Sequence, residues 1–542
     1  MKILIELIVL SLILTSFTLF AQVNFESTNL PIIVIDTQGR TIVDEPKITA
    51  TMGIIDNGPG LLNSINDSFN NYDGFIGIEY RGSSSQFLFP KKSFGIETRD
   101  ELGENLNVSV LGMPEENDWV LHGPYSDKAM IRNLLTFELG RSLGRYASRT
   151  RLVEIILNDE YWGVYLFMEK IKRDKNRVDI SKLTEDEVSG DDLTGGYIIK
   201  IDKFDGTNSG DGWTSPYPPV GRQRNEQVIF FQFDYPKNRD IVDAQREYIK
   251  KYVTDFENAL YGPDFRDPDL GYKQYVNLDS FVDFLIMMEV TRNVDAYRLS
   301  TFFYKDKNSN GGKITMGPIW DFNLAFGNAN YCNGWLTNGW AWDFNSICPD
   351  DFWLNPFWWD RLMEDAAFSS RLTSRWTGLR SGPFKTETII SYIDSVASEL
   401  DEAQQRNYER WDILGQPIWP NYFIGFTYSS EIEHLKNWVI NRMEWLDTNL
   451  FLTTSISETG YEEIQPVIKP NPFTDHISFE LPGNFSIHFF NTHGQEVFRT
   501  GQVDGYFVWN GQDAIGTSLP AGLYFYNLFT KNNRINGRII KR

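Results

Sequence analysis

Cysteine, histidine and basic charge are all scarce in this chain, and each shortage removes a class of chemistry. Two cysteines, Cys332 and Cys348, stand in 542 residues; they are too few for a disulfide scaffold and lack the C-x-x-C spacing of a zinc or redox centre. The histidines are His122, His434, His476, His488 and His493. The last three fall in a separable C-terminal segment, so the main body has two, which read as structural and exclude a multi-histidine metal site. No Gly-x-Ser-x-Gly elbow occurs to frame a Ser-His-Asp triad. Chemistry is left to carboxylates, lysine and arginine. The 51 Lys+Arg face 73 Asp+Glu, a net charge of -22, which repels polyphosphate backbones and argues against nucleic acid as the main partner. Hydrophobic and charged fractions of 41% and 23% match neither a disordered chain nor a multispan membrane protein.

The one long apolar run lies at the N-terminus. Residues 1–21 carry a basic Lys2, an apolar stretch and Ala21 before Gln22, the pattern of a secretory signal peptide, with no basic stop-transfer cluster after it. No transmembrane helix is expected once it is removed. Outside the cytoplasm Cys332 and Cys348 either oxidise to one bond or stay as two buried thiols. A polar stretch, 456–465, reads as a linker. From Pro466 to Arg542, short alternating runs such as Phe485-Ser-Ile-His-Phe-Phe490 are separated by Pro, Gly and Asn turns, a small β-sandwich pattern.

Residues 22–455 read as one large α+β domain. Strand-like runs at Ile32–Asp36, Phe75–Glu79, Val153–Leu157 and Gly196–Ile201 alternate with helical periodicity at Met130–Gly140, Asp243–Leu260, Leu278–Val290 and Glu431–Leu450,. Three constellations bear on chemistry. Tyr80-Arg81-Gly82-Ser83-Ser84-Ser85, then Pro90-Lys91-Lys92-Ser93, puts hydroxyls, backbone N–H groups and two ammonium groups on neighbouring strands, suited to a phosphate; a polar hairpin with solvated lysines is the alternative. Trp162-Gly-Val-Tyr-Leu-Phe-Met-Glu169 delivers a carboxylate at a strand end that pairs with a lysine or stays on the surface. Asn293-Val-Asp295 and Trp320-Asp321-Phe-Asn323 flank the two arms of one hairpin, so the two aspartates can converge on a divalent cation shared with phosphates. The turn Asp306 to Gly311 mimics an EF-hand opening, but Gly317 occupies the twelfth position where a Glu belongs, so it reads as a hairpin turn.

Taken in order, Arg81-Gly-Ser-Ser-Ser to Pro90-Lys-Lys-Ser93, Gly163-Val-Tyr to Glu169, Thr194-Gly-Gly-Tyr-Ile-Ile-Lys-Ile-Asp202, Asn293-x-Asp295 and Trp320-Asp-x-Asn-x-Ala-Phe-Gly327 resemble the spore-coat CotH kinase family. The resemblance implies an atypical protein-kinase-like fold that transfers the ATP γ-phosphoryl group to Ser or Thr of a protein. It makes Asp295 and Asp321 the catalytic carboxylates, with Asn323 beside them on Mg2+, Arg81, Lys91 and Lys92 the contacts to ATP phosphates, and Glu169 a salt-bridge partner. Two positions depart from the family pattern: Asn323 replaces an acid, and Ser300 stands where an Asn is usual. They motivate a second reading, an inactive kinase-like surface scaffold. A third, a carbohydrate hydrolase, rests on paired carboxylates in a secreted protein and on abundant tryptophan, with the cluster Trp335, Trp340, Trp342, Trp353, Trp358 and Trp359,. The C-terminal pieces Pro470-Asn-Pro472, Asn491-Thr-His-Gly494, Leu519-Pro-Ala-Gly-Leu-Tyr524 and Ile539-Ile-Lys-Arg542 resemble a type IX secretion sorting domain, which implies the type IX machinery as a partner and an address outside the cell or on the outer-membrane surface.

Overall fold

Seven strands in the first third of the protein close into a barrel. The computed structural model describes residues 23–204, 209–452, 466–491, 495–530 and 534–542; the expected signal segment 1–21 and the linker 456–465 lie outside the described residues. Round the barrel the order is Ile32–Asp36, Ile48–Ile55, Tyr72–Arg81, Ser93–Arg99, Asp118–His122, Glu160–Glu169 and Thr150–Leu157. Neighbours pair antiparallel except at the closure, where Thr150–Leu157 runs parallel to Ile32–Asp36 with Glu154 opposite Ile32. Side chains alternate between the two faces of each strand. Tyr165 and Phe167 therefore enter the barrel core with Ile33, Ile78, Phe94 and Trp119, while Val164, Leu166 and Met168 join a larger core outside it. A strand covered on both faces needs an apolar residue at every position, which accounts for the unbroken run from Val164 to Met168.

Beyond the barrel a five-stranded sheet runs Gly212–Thr214, Phe230–Tyr235, Tyr197–Ile201, Thr301–Lys305, Thr315–Met316. Helices surround it. Asp243–Tyr261 buries Ile249, Val253, Phe256 and Leu260 along one face, as the spacing predicts,. Leu278–Thr291 is buried on all sides from Ser280 onward, the mark of a central helix. Asn277 caps it by accepting from Ser280 N–H, and Arg292 ends it in a left-handed conformation with φ 43°,. From Trp358 to Leu452 the chain is mostly helical, broken chiefly by the loop 411–427, so the mixed α+β architecture with a helix-rich second half is as expected. The barrel is not part of that expectation, because closure depends on a parallel pairing between strands far apart in sequence. Also different is the segment after Arg81: the short helix Ser84–Leu88 intervenes, and the next strand starts at Ser93, so Lys91 and Lys92 precede that strand instead of lying on it.

Residues Met1–Ile456 and Ser457–Arg542 form two separate units. The second is β-rich. Its long strand Ile477–Phe490 shifts register between Glu480 and Asn484, pairing with Val467–Lys469 at its start, with Glu496–Arg499 and Gly522–Thr530 at its end, and with Val503–Trp509 across the shift. Side chains from both ends of that strand meet, with the Phe479 and Phe489 ring centroids 5.5 Å apart, and Phe489 stacks on Trp509 of Val503–Trp509 at 4.1 Å. Among the described residues no helix is long and apolar enough to cross a membrane.

Candidate active site

A cleft of about 620 Å3 opens in the larger unit, within the size range of small-molecule sites. The barrel contributes Arg81 with Gly82 to Ser85, and His122 at the end of its strand. The five-stranded sheet contributes Lys200, Asp202 and Lys203 as Tyr197–Ile201 ends. Asp295 lies on the segment entering Thr301–Lys305 and Asp321 on the segment leaving Thr315–Met316. Because these strands form a hairpin, with Phe303 opposite Met316, the segments before and after it return to the same end, and both aspartates line one cavity.

A single amide spans them. Asn293 Nδ2 donates to the Asp321 carbonyl at 3.0 Å, and Asn293 Oδ1 accepts from Asp295 N–H at 3.3 Å. Asp321 holds a left-handed φ of 65° and Ser300 one of 46°, conformations that a non-glycine residue keeps only when its surroundings impose them. The Asp321 carboxylate is open to the solvent of the cleft, protein encloses its other sides, and it makes no hydrogen bond among the described residues. Confinement, then the neighbouring carboxylates of Asp295 and Asp202, push its pKa up to about 6,. Burial also raises Asp295, opposed by Arg298. Arg298 Nη2 binds Asp295 Oδ1 at 3.0 Å, and its Nη1 reaches Asp351 Oδ1 at 3.0 Å, so one oxygen of Asp295 is already engaged.

The cations of the cleft are not all those the sequence suggests. Arg81 lines it, its guanidinium 5.4 Å from the Trp320 ring centroid. Lys91 does not: its Nζ donates to the Val164 carbonyl at 2.6 Å and to Asn407 Oδ1 at 2.7 Å, and burial pulls its pKa well below the lysine range. Lys92 Nζ is spent on the Gln86 and Phe89 carbonyls. The Pro-Lys-Lys segment commits both ammonium groups to carbonyls of the fold, and neither lysine lines the cleft. Glu169 is a salt-bridge partner of Arg149 at 2.8 Å, with Arg177 at 3.9 Å, and not of a lysine; it is fully buried and does not line the cleft. In place of the two lysines stands Lys203, whose Nζ donates to Ser84 Oγ at 3.2 Å. Asp202 beside it accepts from Lys203 N–H at 2.9 Å and lies 3.4 Å from Lys200 Nζ.

Asp202, Lys203, Asn293 and His122 are the residues that sequence reasoning leaves without a role. Asp202 and Asn293 fall inside the motifs that carry the family resemblance, which was their signal. His122 was expected to be structural, yet it lines the cleft, neutral because burial lowers its pKa to about 4. His434 is stacked on Phe423 at 4.2 Å. Of the six clustered tryptophans only Trp353 lines the cleft; Trp358 and Trp359 are core, and Trp335 stacks on Tyr422. Cys332 and Cys348 are joined in a disulfide, bracketing the loop between Tyr331 and Asp351, both cleft residues.

Among the described residues no three acidic, histidine or cysteine side chains are drawn together as a cation cage. Asp321 and Asn323, two residues apart on one loop, and Asp202, just past the end of Tyr197–Ile201, instead line the cleft with hard oxygen donors. Such a set fits Mg2+, which takes one or two carboxylates and completes its shell with water and phosphate.

Residues 78–446 match the model of the CotH kinase protein family. The chain belongs to that family. The CotH match takes in Arg81, Asp202, Asp295 and Asp321 together. Residues 472–539 match the CHU_C type IX secretion signal domain, an address to the cell surface or the extracellular space, where a disulfide persists. A search of curated proteins gives no match. Among solved structures, PorZ, an essential bacterial surface component of the type IX secretion system of Porphyromonas gingivalis, is 19% identical over 16% of this chain and 12% of that one, with a TM-score of 0.14. Latent PorU from P. gingivalis is 17% identical over 14% of this chain and 9% of that one, TM-score 0.13. The alkylpurine DNA glycosylase AlkC of Pseudomonas fluorescens is 14% identical over 39% of this CotH chain and 70% of that one, TM-score 0.12. The chain thus spans about an eighth of PorZ and less of PorU, and likenesses this weak carry no weight for its fold.

Proposed function

We propose that the cleft transfers the γ-phosphoryl group of ATP to a Ser or Thr hydroxyl of a protein at the cell surface or outside the cell, in an atypical protein-kinase-like fold. One observation carries the reading: the Asp321 carboxylate, with no protein partner among the described residues, stands beside Asp295 and Asp202 and shares its cavity with Arg81, Lys203 and the hydroxyls of Ser83 to Ser85. A carboxylate crowded by like charges is relieved by a cation, and phosphate by the arginine and lysine.

Asp321 and Asn323 would hold Mg2+, with Asp202 in support. The bound metal would neutralise charge on the transferring phosphoryl group. Arg81 and Lys203 would offset the remaining phosphate charge, and the backbone after Gly82 would bring N–H groups and serine hydroxyls to the phosphate chain. Asp295, one oxygen held by Arg298, would orient the acceptor hydroxyl and accept its proton through the other oxygen. Asn323 keeps an oxygen ligand but lacks the charge of an acid.

The test is transfer of labelled γ-phosphate from Mg2+-ATP by the full chain to itself and to a generic Ser/Thr-rich protein, with Asp321→Ala in parallel. Incorporation should be lost in the variant, and equal incorporation in both would end the reading. Asn323 and Ser300 favour one rival, a scaffold that kept the fold without activity; it requires that Mg2+-dependent ATP binding be undetectable by calorimetry. The hydrolase reading keeps its paired carboxylates but loses most of its tryptophan cluster, since five of those six side chains lie away from the cleft.

A further inference from the structure

Asn133, in the first turn of the helix Arg132–Ser142, uses both ends of its amide. Phe322 N–H donates to Asn133 Oδ1 at 2.7 Å. A backbone N–H can only donate, so the amide oxygen must face Phe322, and the orientation of the side chain is decided without appeal to the ring beyond it. The amide nitrogen is thereby left against His122 Nε2 at 3.1 Å. An NH2 group also only donates, so Nε2 must accept and carries no proton. A neutral imidazole then has its proton on Nδ1. Burial keeps the ring neutral, as do the neighbouring charges of Lys91 and Arg81, with Asp127 opposing. Nδ1 itself has no hydrogen-bond partner among the described residues, and His122 lines the cleft.

The other end of the amide bears on Asp321, the residue before Phe322. Its left-handed backbone is held from one side by Asn293 at its carbonyl and from the other by Asn133 at the next N–H. Asn133 is therefore shared between the barrel wall, through His122, and the wall that carries Asp321. We propose that Asn133 is a positioning residue that couples the two walls: it braces the Asp321 turn and fixes His122 as the Nδ1–H tautomer, so that His122 presents a donor to an oxygen of the bound ligand. This rests on the phosphoryl-transfer reading only for the identity of that oxygen, which belongs to the nucleotide. The tautomer follows from the contacts of Asn133 alone.

The experiment reads the proton directly. The full chain is labelled with 15N-histidine, the His122 resonances are assigned by their loss in His122→Phe, and protonation at each ring nitrogen is read from the nitrogen shifts in wild type and Asn133→Asp. Wild type should carry the proton on Nδ1, and Asn133→Asp, which keeps an acceptor for Phe322 N–H but no longer donates to the ring, should place a proton on Nε2. A proton on Nε2 in wild type, or an unchanged Nδ1–H in folded Asn133→Asp, overturns the proposal. A mere packing role for Asn133 would not move this readout, and the wild-type measurement decides even where the variant fails to fold. Calorimetry with Mg2+-ATP should show affinity falling about tenfold in His122→Phe, one hydrogen bond's worth; unchanged affinity overturns the ligand contact. No ATP binding in wild type would sink the phosphoryl-transfer reading instead, leaving the tautomer assignment standing.

Discussion

The cleft depends on an ion pair that never touches it, and breaking that pair gives the most quantitative check on how the larger unit holds together. Glu289 and Arg442 have side chains 1% and 0% exposed and meet at 3.0 Å. Glu289 also accepts from Tyr297 O–H at 2.8 Å, Ala341 N–H at 2.8 Å and Trp342 N–H at 3.0 Å. Arg442 donates to the Glu289 carbonyl at 2.7 Å, Thr337 at 2.9 Å and Gly339 at 2.7 Å. The pair thus pins the loop 337–342 and the helix Tyr428–Leu452 to the central helix Leu278–Thr291, whose end leads into Asn293 and Asp295. Arg442→Met leaves a buried carboxylate with neutral donors only and should cost about 4 kcal/mol. Glu289→Gln turns an NH2 group toward backbone N–H donors or toward the guanidinium and should cost about 3 kcal/mol. The double variant should fall short of the sum by about 2 kcal/mol, because each single change strands the other's partner. Guanidinium unfolding, followed by fluorescence at matched m-values, measures the cycle. Single costs that add within about 0.5 kcal/mol would refute the claim that the two act as one unit. The sign with pH follows. Burial already raises Glu289 above its ordinary value, and removing Arg442 raises it further, so the folded variant binds the proton that the unfolded chain releases. Its deficit should be smallest at low pH and grow as pH rises through the folded-state pKa.

Two further outcomes can be checked. Glu257 is fully buried, accepts from Ser215 O–H at 2.8 Å and Trp358 Nε1–H at 3.0 Å, and is raised by burial from the ordinary 4.5 to about 7, a difference worth roughly 3 kcal/mol. The contribution is fully present below the unfolded pKa and lost as pH rises through 7, so wild type minus Glu257→Gln should drift by this amount between unfolding curves at about pH 4 and about pH 8, and a flat difference would refute the assignment. Lys203→Ala should weaken Mg2+-ATP binding about tenfold or more in calorimetry, whereas Lys91→Met should leave it unchanged, since Lys91 Nζ faces Val164 and Asn407; the reverse ranking would restore the Pro-Lys-Lys segment as the phosphate contact.

Legibility in the sequence follows the range of the interaction. The helix Leu278–Thr291 and the strand Ile32–Asp36 announce themselves through local periodicity, and Asp295 with Asp321 could be paired because a short hairpin lies between them. Lys91 and Lys92 misled because residue type says nothing about which way a loop turns its ends: a lysine reads as a phosphate contact until Val164 and Asn407 are found around it. Asn133 gave no signal at all, being one polar residue near a helix start, and its meaning lies in Phe322, which arrives from a loop far along the chain, and His122, at the end of a barrel strand.

Composition and the ordered motifs by themselves determined the family, the export address and much of the secondary structure, because these depend on neighbours along the chain. Barrel closure, the disulfide, the turning of Lys91 away from the cleft that Lys203 lines and the amide that joins His122 to the Asp321 turn were decided only in three dimensions. Each of these hangs on a hydrogen bond, ion pair or covalent link whose partner is set by packing, and a packing direction is not written in the spacing of residues.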